Sequence, residues 1–355
     1  VLLNYDKRFG RHGLKTLAGW HTEKYTYNES KAERSNFPNN DLTDMNAGDA
    51  ATMKNSGYSR ELAMISWFGR VNYDYAGKYL FEANIRADAS SRFAKGHRWG
   101  YFPSFSAAWR ISEEAFMEEA VGWLTDLKIR GSYGNLGNQS ALSDFYPWMN
   151  SYDLDAHYSL NGSLQTGYHQ KNYKIATISW EKARTWGVGI DATLFGKLTV
   201  GLDYYDRKTT GIIMDVPVPA EFGLGAYKDN VGAMVNRGVE LTLNYNESWD
   251  DWLFGVSANL AYNKNKVLYL DGVQSLADGD LKVKQVGAAY GTYRLYKTGG
   301  FFQSDEEAKR WQEKHKNDAG YPFKRDFKAG DLIYMDTNED GLINAIEEER
   351  YEENS

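Results

Sequence analysis

Ala63-Met64-Ile65-Ser66-Trp67-Phe68-Gly69-Arg70-Val71-Asn72-Tyr73-Asp74-Tyr75 alternates, with apolar or aromatic residues at most odd positions and polar ones between them. After a tight Ala76-Gly77-Lys78 turn the pattern resumes: Tyr79, Phe81, Ala83, Ile85 and Ala87 against Glu82, Asn84, Arg86 and Asp88. Beyond Arg92–Trp99 it returns in Tyr101, Phe105, Ala107, Trp109 and Ile111. Successive side chains of a strand point to opposite faces, so each of these segments is a strand with one oily face and one wet, charged face. A water-soluble sandwich also alternates, with its oily face turned inward. These runs are instead about ten residues or longer and carry aromatics at their ends, which predicts an all-β antiparallel transmembrane barrel, oily side to lipid and polar side to a lumen.

Composition agrees. Aromatic residues make up 15% of the 355 residues, with 26 Tyr and 11 Trp, the bias expected where rings line membrane interfaces. No run of 18 apolar residues exists, so membrane-spanning helices are excluded, whereas a barrel hides its hydrophobicity in alternation. A net charge of −7 offers no basic footprint for nucleic acid. The absence of cysteine excludes a disulfide scaffold and thiolate metal sites.

Further alternating runs lie at 127–133, 186–194, 198–204, 239–245 and 252–262, with a first hairpin in residues 1–24, about a dozen strands in all. Polar stretches at 25–58, 136–173, 207–233 and 264–350 read as long loops, while Ala76–Lys78 and Phe195–Lys197 read as tight turns. Alternation of short turns with long loops is what a transmembrane barrel shows, the long ones outside the cell. Ser112 with Glu113 and Glu114 predicts a short helical turn to about Met117. Ser304 with Glu307 forms a capping box ahead of a helix over 305–316, within an extracellular region spanning 304–350. The alternation starts at Val1 with no signal-peptide pattern, and the chain closes on a polar tail, so the whole of residues 1–355 is expected to be part of a larger barrel.

The sharpest chemical motif begins at Asp336. Asp336, Asn338 and Asp340 at loop positions 1, 3 and 5, Gly341 at 6, the Leu342 carbonyl at 7, Asn344 at 9 and Glu347 at 12 match a calcium-binding EF-hand loop. Calcium needs six to eight hard oxygens, and the glycine lets the chain turn sharply enough to supply them. Without a helix before it, the loop fits a structural Ca2+ site that stiffens an exposed loop; the plain alternative is an acidic turn that holds no metal. Gly187-Val188-Gly189-Ile190-Asp191-Ala192 matches a dinucleotide fingerprint on paper, but a strand follows it instead of a helix. The six histidines are scattered and no G-x-S-x-G elbow occurs, so nothing points to an enzyme. Tyr146, Trp148, Tyr152, Tyr158 and Tyr168 crowd one loop, where they either stack against sugars or peptides or pack the loop on itself. The inward-facing Arg70, Asn72, Glu82, Asn84 and Arg86 are candidates to meet cargo, or simply a hydrated wall.

Phe68-Gly69-Arg70-Val71-Asn72-Tyr73, Arg86-Ala87-Asp88-Ala89-Ser90-Ser91-Arg92-Phe93, Gly100-Tyr101-Phe102-Pro103-Ser104, and Leu127-Lys128-Ile129-Arg130-Gly131-Ser132-Tyr133-Gly134 stand together with Trp180-Glu181, Asp203–Arg207, Asn236–Leu241 and Gly330-Asp331 ahead of the acidic loop. In these motifs the chain resembles the SusC/RagA family of TonB-dependent outer-membrane transporters of Bacteroidetes. The resemblance implies a 22-stranded barrel with a plug, in the outer membrane. It also implies uptake of oligosaccharides or peptides, a SusD-like lipoprotein lid, and energy from TonB-ExbB-ExbD. A TonB-dependent receptor for a siderophore or cobalamin, and a secreted calcium-stabilised β-sandwich, are the rival readings.

Overall fold

The computed structural model describes residues 1–120, 122–170, 172–271, 275–277, 282–318, 323–336, 341–343 and 348–351. The chain divides into two compact units, Val1–Gly232 with Gly238–Ala261, and Ala233–Arg237 with Tyr262–Ser355.

The first unit is built on long strands. β1 (Leu2–Phe9), β2 (His12–Glu33), β3 (Lys54–Tyr75), β4 (Tyr79–Ser90), β5 (Trp99–Arg110) and β6 (Leu124–Asn138) follow one another. A hairpin, β7 (Tyr152–Leu160) and β8 (Ser163–Gln170), interrupts them before β9 (Glu181–Leu194), β10 (Leu198–Val216), β11 (Tyr227–Trp249) and β12 (Trp252–Leu270). The ten long strands form one sheet in chain order, with β7 and β8 set aside as a two-stranded sheet. Such up-and-down order is what tight turns between long antiparallel strands produce.

Register decides which way the faces point. Tyr73 stands opposite Phe81, Phe81 opposite Ala107, Phe105 opposite Tyr133, Ile129 opposite Ile190, and Ile190 opposite Leu202. One oily face therefore runs unbroken across β3 to β10, and it is the exposed one. Trp67 is 56% exposed and Ile85 55%, whereas Ser66 is 0% and Asp88 6% exposed. A face of polar residues more buried than its apolar partner is the inverse of a soluble sandwich, which rules that reading out.

Several predicted boundaries need correction. The predicted loop 25–58 shrinks to 34–53, because β2 and β3 pair from His12↔Tyr75 out to Glu33↔Lys54. Likewise β6 runs to Asn138, β10 to Val216, and β11 starts at Tyr227, so the predicted loops 136–173 and 207–233 are in part strand. Among the described residues the main sheet holds ten strands, where about a dozen were expected, and the others form small separate sheets. The reason is physical. About ten residues cross a bilayer, and beyond it water wets both faces, so the strand continues without alternation. The helical turn predicted at Ser112 is a pair of 3-10 segments, Ile111–Glu113 and Ala115–Ala120, and the Ser112 hydroxyl donates to Asp126 instead of capping.

In the second unit, β13 (Ser275–Ala277), β14 (Lys282–Gln285), β15 (Thr292–Tyr296), β16 (Thr298–Phe301), β17 (Leu332–Tyr334) and β18 (Glu348–Tyr351) replace part of what the sequence predicted as loop over 264–350, and α1 (Asp305–His315) is the helix predicted over 305–316. The helix begins as expected: Ser304 accepts from the Glu307 amide at 3.2 Å, and Glu307 accepts from the Gln303 amide at 2.7 Å. Its packed side meets an aromatic core in which Phe302, Ala308 and Phe327 are buried against Trp311, Phe323 and Tyr334.

Candidate functional site

The inward face of the sheet carries a continuous polar network. Arg70 Nε donates to Asn84 Oδ1 (2.8 Å), Asn84 donates to Glu82 Oε1 (2.7 Å), and Asn72 donates to the other Glu82 oxygen. Arg86 donates Nε to both Asp88 oxygens at 2.8 Å and Nη2 to Ser66 at 3.0 Å. The five inward residues singled out in the sequence therefore stand side by side and bind chiefly one another and the wall.

Further along, a set that local reading missed comes together. Arg130 Nε donates to Asp191 (3.0 Å) and Nη2 to Asp203 (2.6 Å), while Lys128 lies 2.9 Å from Asp191. A planar guanidinium can reach two carboxylates at once, which a point-charge ammonium cannot do with the same geometry. Gly189 makes the room, since a side chain there would collide with the Asp203 carboxylate and place its Cβ 2.8 Å from Arg130 Cζ. The glycine pattern at 187–192 thus serves the ion pairs of a strand. Each charge lies between apolar positions of an alternating run; the partners are 61 and 73 residues away, and only the register joins them. Two grooves of about 640 and 530 Å³ run along this face, the first lined by Asp6, Arg8, Lys15, Asp74, Lys128 and Arg130, the second by Asn84, Arg86, Asp88 and Ser104.

At the end of the wall away from the tight turns, a small core closes between loops. Phe93, Phe102, Leu142, Ile178, Trp180 and Ile213 are buried together, with Trp180 Nε1 donating to the Arg98 carbonyl at 2.9 Å. The five predicted loop aromatics separate here. Trp148 packs against this core and donates to the Ser91 carbonyl, and Tyr146 accepts from the Glu61 amide, so both anchor the loop. Lys174 reinforces the anchor at 2.5 Å from Asp144. Burial pushes the Asp144 carboxyl up, but Lys174 and the Tyr146 and Phe145 amides outweigh it and hold it below the usual range. Tyr152 and Tyr168 stand exposed on the β7–β8 hairpin, edge to face at 5.8 Å. A bulge between Asp153 and Ala156 turns Tyr158, also exposed, to the opposite face.

In the second unit, Asp336 Oδ2 accepts from the Gly341 amide at 2.7 Å, and Gly341 has φ +83°, which favours glycine. Ile343, 1% exposed, donates its amide to Asp318 Oδ2 at 2.7 Å, and His315 Nδ1 lies 2.8 Å from the same oxygen. Desolvation raises the Asp318 carboxyl, yet the His315 and Ile343 bonds hold it below the usual range. Leu342 is described; Asn338, Asp340, Asn344 and Glu347 lie outside the described residues.

A sheet with lipid-ready rings on one face, a polar wall on the other and short turns at one end defines an outer-membrane β-barrel wall. Residues 2–340 match the family described as TonB dependent receptor-like, beta-barrel, and the chain belongs to that family. It is 31% identical over 315 residues to TonB-dependent receptor P3 of Formosa agariphila, covering 85% of this chain and 31% of that protein. It is 34% identical over 272 residues to TonB-dependent receptor SusC of Bacteroides thetaiotaomicron, covering 75% and 25% respectively. The structure of the RagAB peptide transporter aligns with TM-score 0.76 at 24% identity over 85% of this chain and 33% of that one. The outer-membrane transporter YddB of Escherichia coli aligns with TM-score 0.51 at 10% identity over 81% and 36%. The chain is thus a TonB-dependent receptor barrel wall of the outer membrane, similar in sequence to SusC, and it spans about a third of the length of the first curated relatives it matches.

Proposed function

We propose that the chain forms part of the wall of a TonB-dependent nutrient importer, taking up oligosaccharides or peptides beneath a SusD-like lipoprotein lid. TonB-ExbB-ExbD supplies the energy through a plug, and no covalent chemistry occurs. The observation that carries this reading is the inward polar network with its two grooves, joined to the likeness to SusC and to the RagAB peptide transporter. A hydrated wall of paired charges passes polar cargo without holding it tightly. The exposed Tyr152–Tyr168 pair offers ring faces at the mouth of this wall, suited to a sugar or peptide side chain. The test is uptake by cells carrying the complete transporter and its lipoprotein, supplied with defined oligosaccharides or peptides as sole nutrient. Growth on one class, lost when the TonB-energised step is removed, supports importation. Growth that continues without TonB refutes it.

The acidic loop supports a second element of the same proposal, a structural Ca2+ site. Asp336 Oδ1 is buried with no hydrogen-bond partner among the described residues, while Oδ2 holds the Gly341 amide, as the first and sixth positions of a calcium loop require. Asp336, Asn338, Asp340, the Leu342 carbonyl, Asn344 and Glu347 would supply the oxygens. Calorimetric titration of the complete transporter with Ca2+ should show one site, at the 10⁻⁴–10⁻³ M order typical of extracellular modules, that Asp336→Ala removes. Binding unchanged by that substitution sinks the assignment.

A further inference from the structure

At the short-turn end, consecutive long strands are joined by two or three residues at Gly10-Arg11, Ala76–Lys78, Phe195–Lys197 and Asp250-Asp251, with one exception. Between β5 and β6 the chain takes Ile111 to Trp123, folded as the two 3-10 segments. This connection starts on the polar face, where Ser112 donates to Asp126 and Glu113 pairs with Arg110 at 2.8 Å, and its next residue is fastened to the other side of the wall. Glu114 accepts from Tyr79 Oη (2.7 Å), Trp109 Nε1 (3.1 Å) and Lys78 Nζ (3.1 Å), and those bonds hold its carboxyl below the usual range. Tyr79 and Trp109 belong to the oily face, where Tyr75, Tyr79 and Trp109 stack at 6.3 and 6.4 Å. From Glu114 onward the clamp therefore draws the connection toward the lipid side.

What it presents there is apolar. Phe116 is 69% exposed and Trp123 52%, and the Trp123 carbonyl accepts from the amide of Phe195, itself 67% exposed. Rings of this kind sit at the head-group level of a bilayer. Between Ile111 and Trp123 every charge is acidic: Glu113, Glu114, Glu118 and Glu119. Glu113 and Glu114 are paired with Arg110 and Lys78; a basic segment would be drawn to anionic lipid, whereas Glu118 and Glu119 are repelled by it.

We propose that the β5–β6 connection is an interfacial anchor. Phe116 and Trp123 rest in the zwitterionic phospholipid leaflet at the periplasmic side of the outer membrane, extending the lipid-facing band, and the Glu114 clamp holds them there. The inference rests on the barrel class alone and is independent of the cargo.

The test uses the complete transporter, free of other cysteines, with Phe116→Cys carrying an NBD fluorophore, reconstituted in phosphatidylethanolamine–phosphatidylcholine bilayers. Blue-shifted emission, quenched by head-group-level nitroxide lipid in preference to aqueous iodide, is expected. Trp123→Cys reads the same surface if the first variant does not fold. Iodide-dominated quenching at the labelled site of a barrel that keeps its heat-dependent gel mobility overturns the proposal. Adding phosphatidylglycerol should reduce lipid quenching; an increase would show charge-driven docking and overturn the neutral-leaflet assignment. Glu114→Gln should shift the Phe116 probe toward water while the barrel stays folded, and a probe that stays in lipid removes the clamp from the account.

Discussion

Placing an arginine at Ile85 asks directly which side of this sheet meets lipid. Ile85 lies six residues along β4 from Tyr79, which stands in the stacked aromatic row at the short-turn end. At about 3.3 Å per residue and a tilt of about 45°, six residues climb roughly 14 Å along the membrane normal. An apolar band of about 25 Å then has its midplane near Ile85. Arginine on the lipid face costs about 2–4 kcal/mol at the midplane and about 0–1 kcal/mol near an interface. Ile85→Arg should therefore lower the folded-to-unfolded ratio in the outer membrane by roughly 30- to 700-fold, and Tyr79→Arg by at most about fivefold. The assay is the heat-dependent gel mobility of the complete transporter in isolated outer membranes, with urea titration in phosphatidylcholine vesicles for the quantitative difference. If Ile85→Arg and Tyr79→Arg agree within about 0.5 kcal/mol, as surface substitutions on a water-exposed sheet would, the lipid-facing assignment is wrong.

Three further outcomes follow from particular contacts. Phe93→Ala empties a fully buried position beside Trp180, at a cost of about 3–5 kcal/mol to the loop core; trypsin should cut after Arg92, Lys95 and Arg98 faster while the barrel keeps its gel mobility, and an unchanged digestion rate contradicts the packing. Gly189→Ala pushes the Arg130 guanidinium off Asp203 at about 1–3 kcal/mol, to be read as a lowered urea midpoint that a second change, Asp203→Ala, does not lower further. The Asp318 carboxyl lies below its ordinary value when folded, so the stability it gives is present above the unfolded value, about pH 4, and is lost as pH falls through the folded one. Protection of the Ile343 amide against hydrogen exchange, corrected for intrinsic rate, should be high at neutral pH and fall only below about pH 4, and Asp318→Asn should abolish that acid step.

The transmembrane parts of this fold were legible because lipid and lumen impose opposite chemistry on neighbouring residues, and Trp67 beside Ser66 records both in two letters. Outside the bilayer that contrast ends. The strand from Tyr25 to Glu33 pairs residue for residue with Lys54 to Leu62, yet both its faces are wet, and nothing in its composition separates it from a loop. The site failed to show for a related reason. Arg130, Asp191 and Asp203 each fall between the apolar positions of an alternating run, but an ion pair is a property of register, which tight turns and the oily face set over many residues. The loop aromatics divide for the same reason: the sequence left cargo stacking and packing of the loop on itself both open, and it is the fold that packs Trp148 on a core while a bulge in β7 parts Tyr158 from Tyr152 and Tyr168. Alternation therefore reports which solvent a side chain meets, and pairing reports which partner it meets. In a barrel wall the first is local in sequence, while the second must await the sheet.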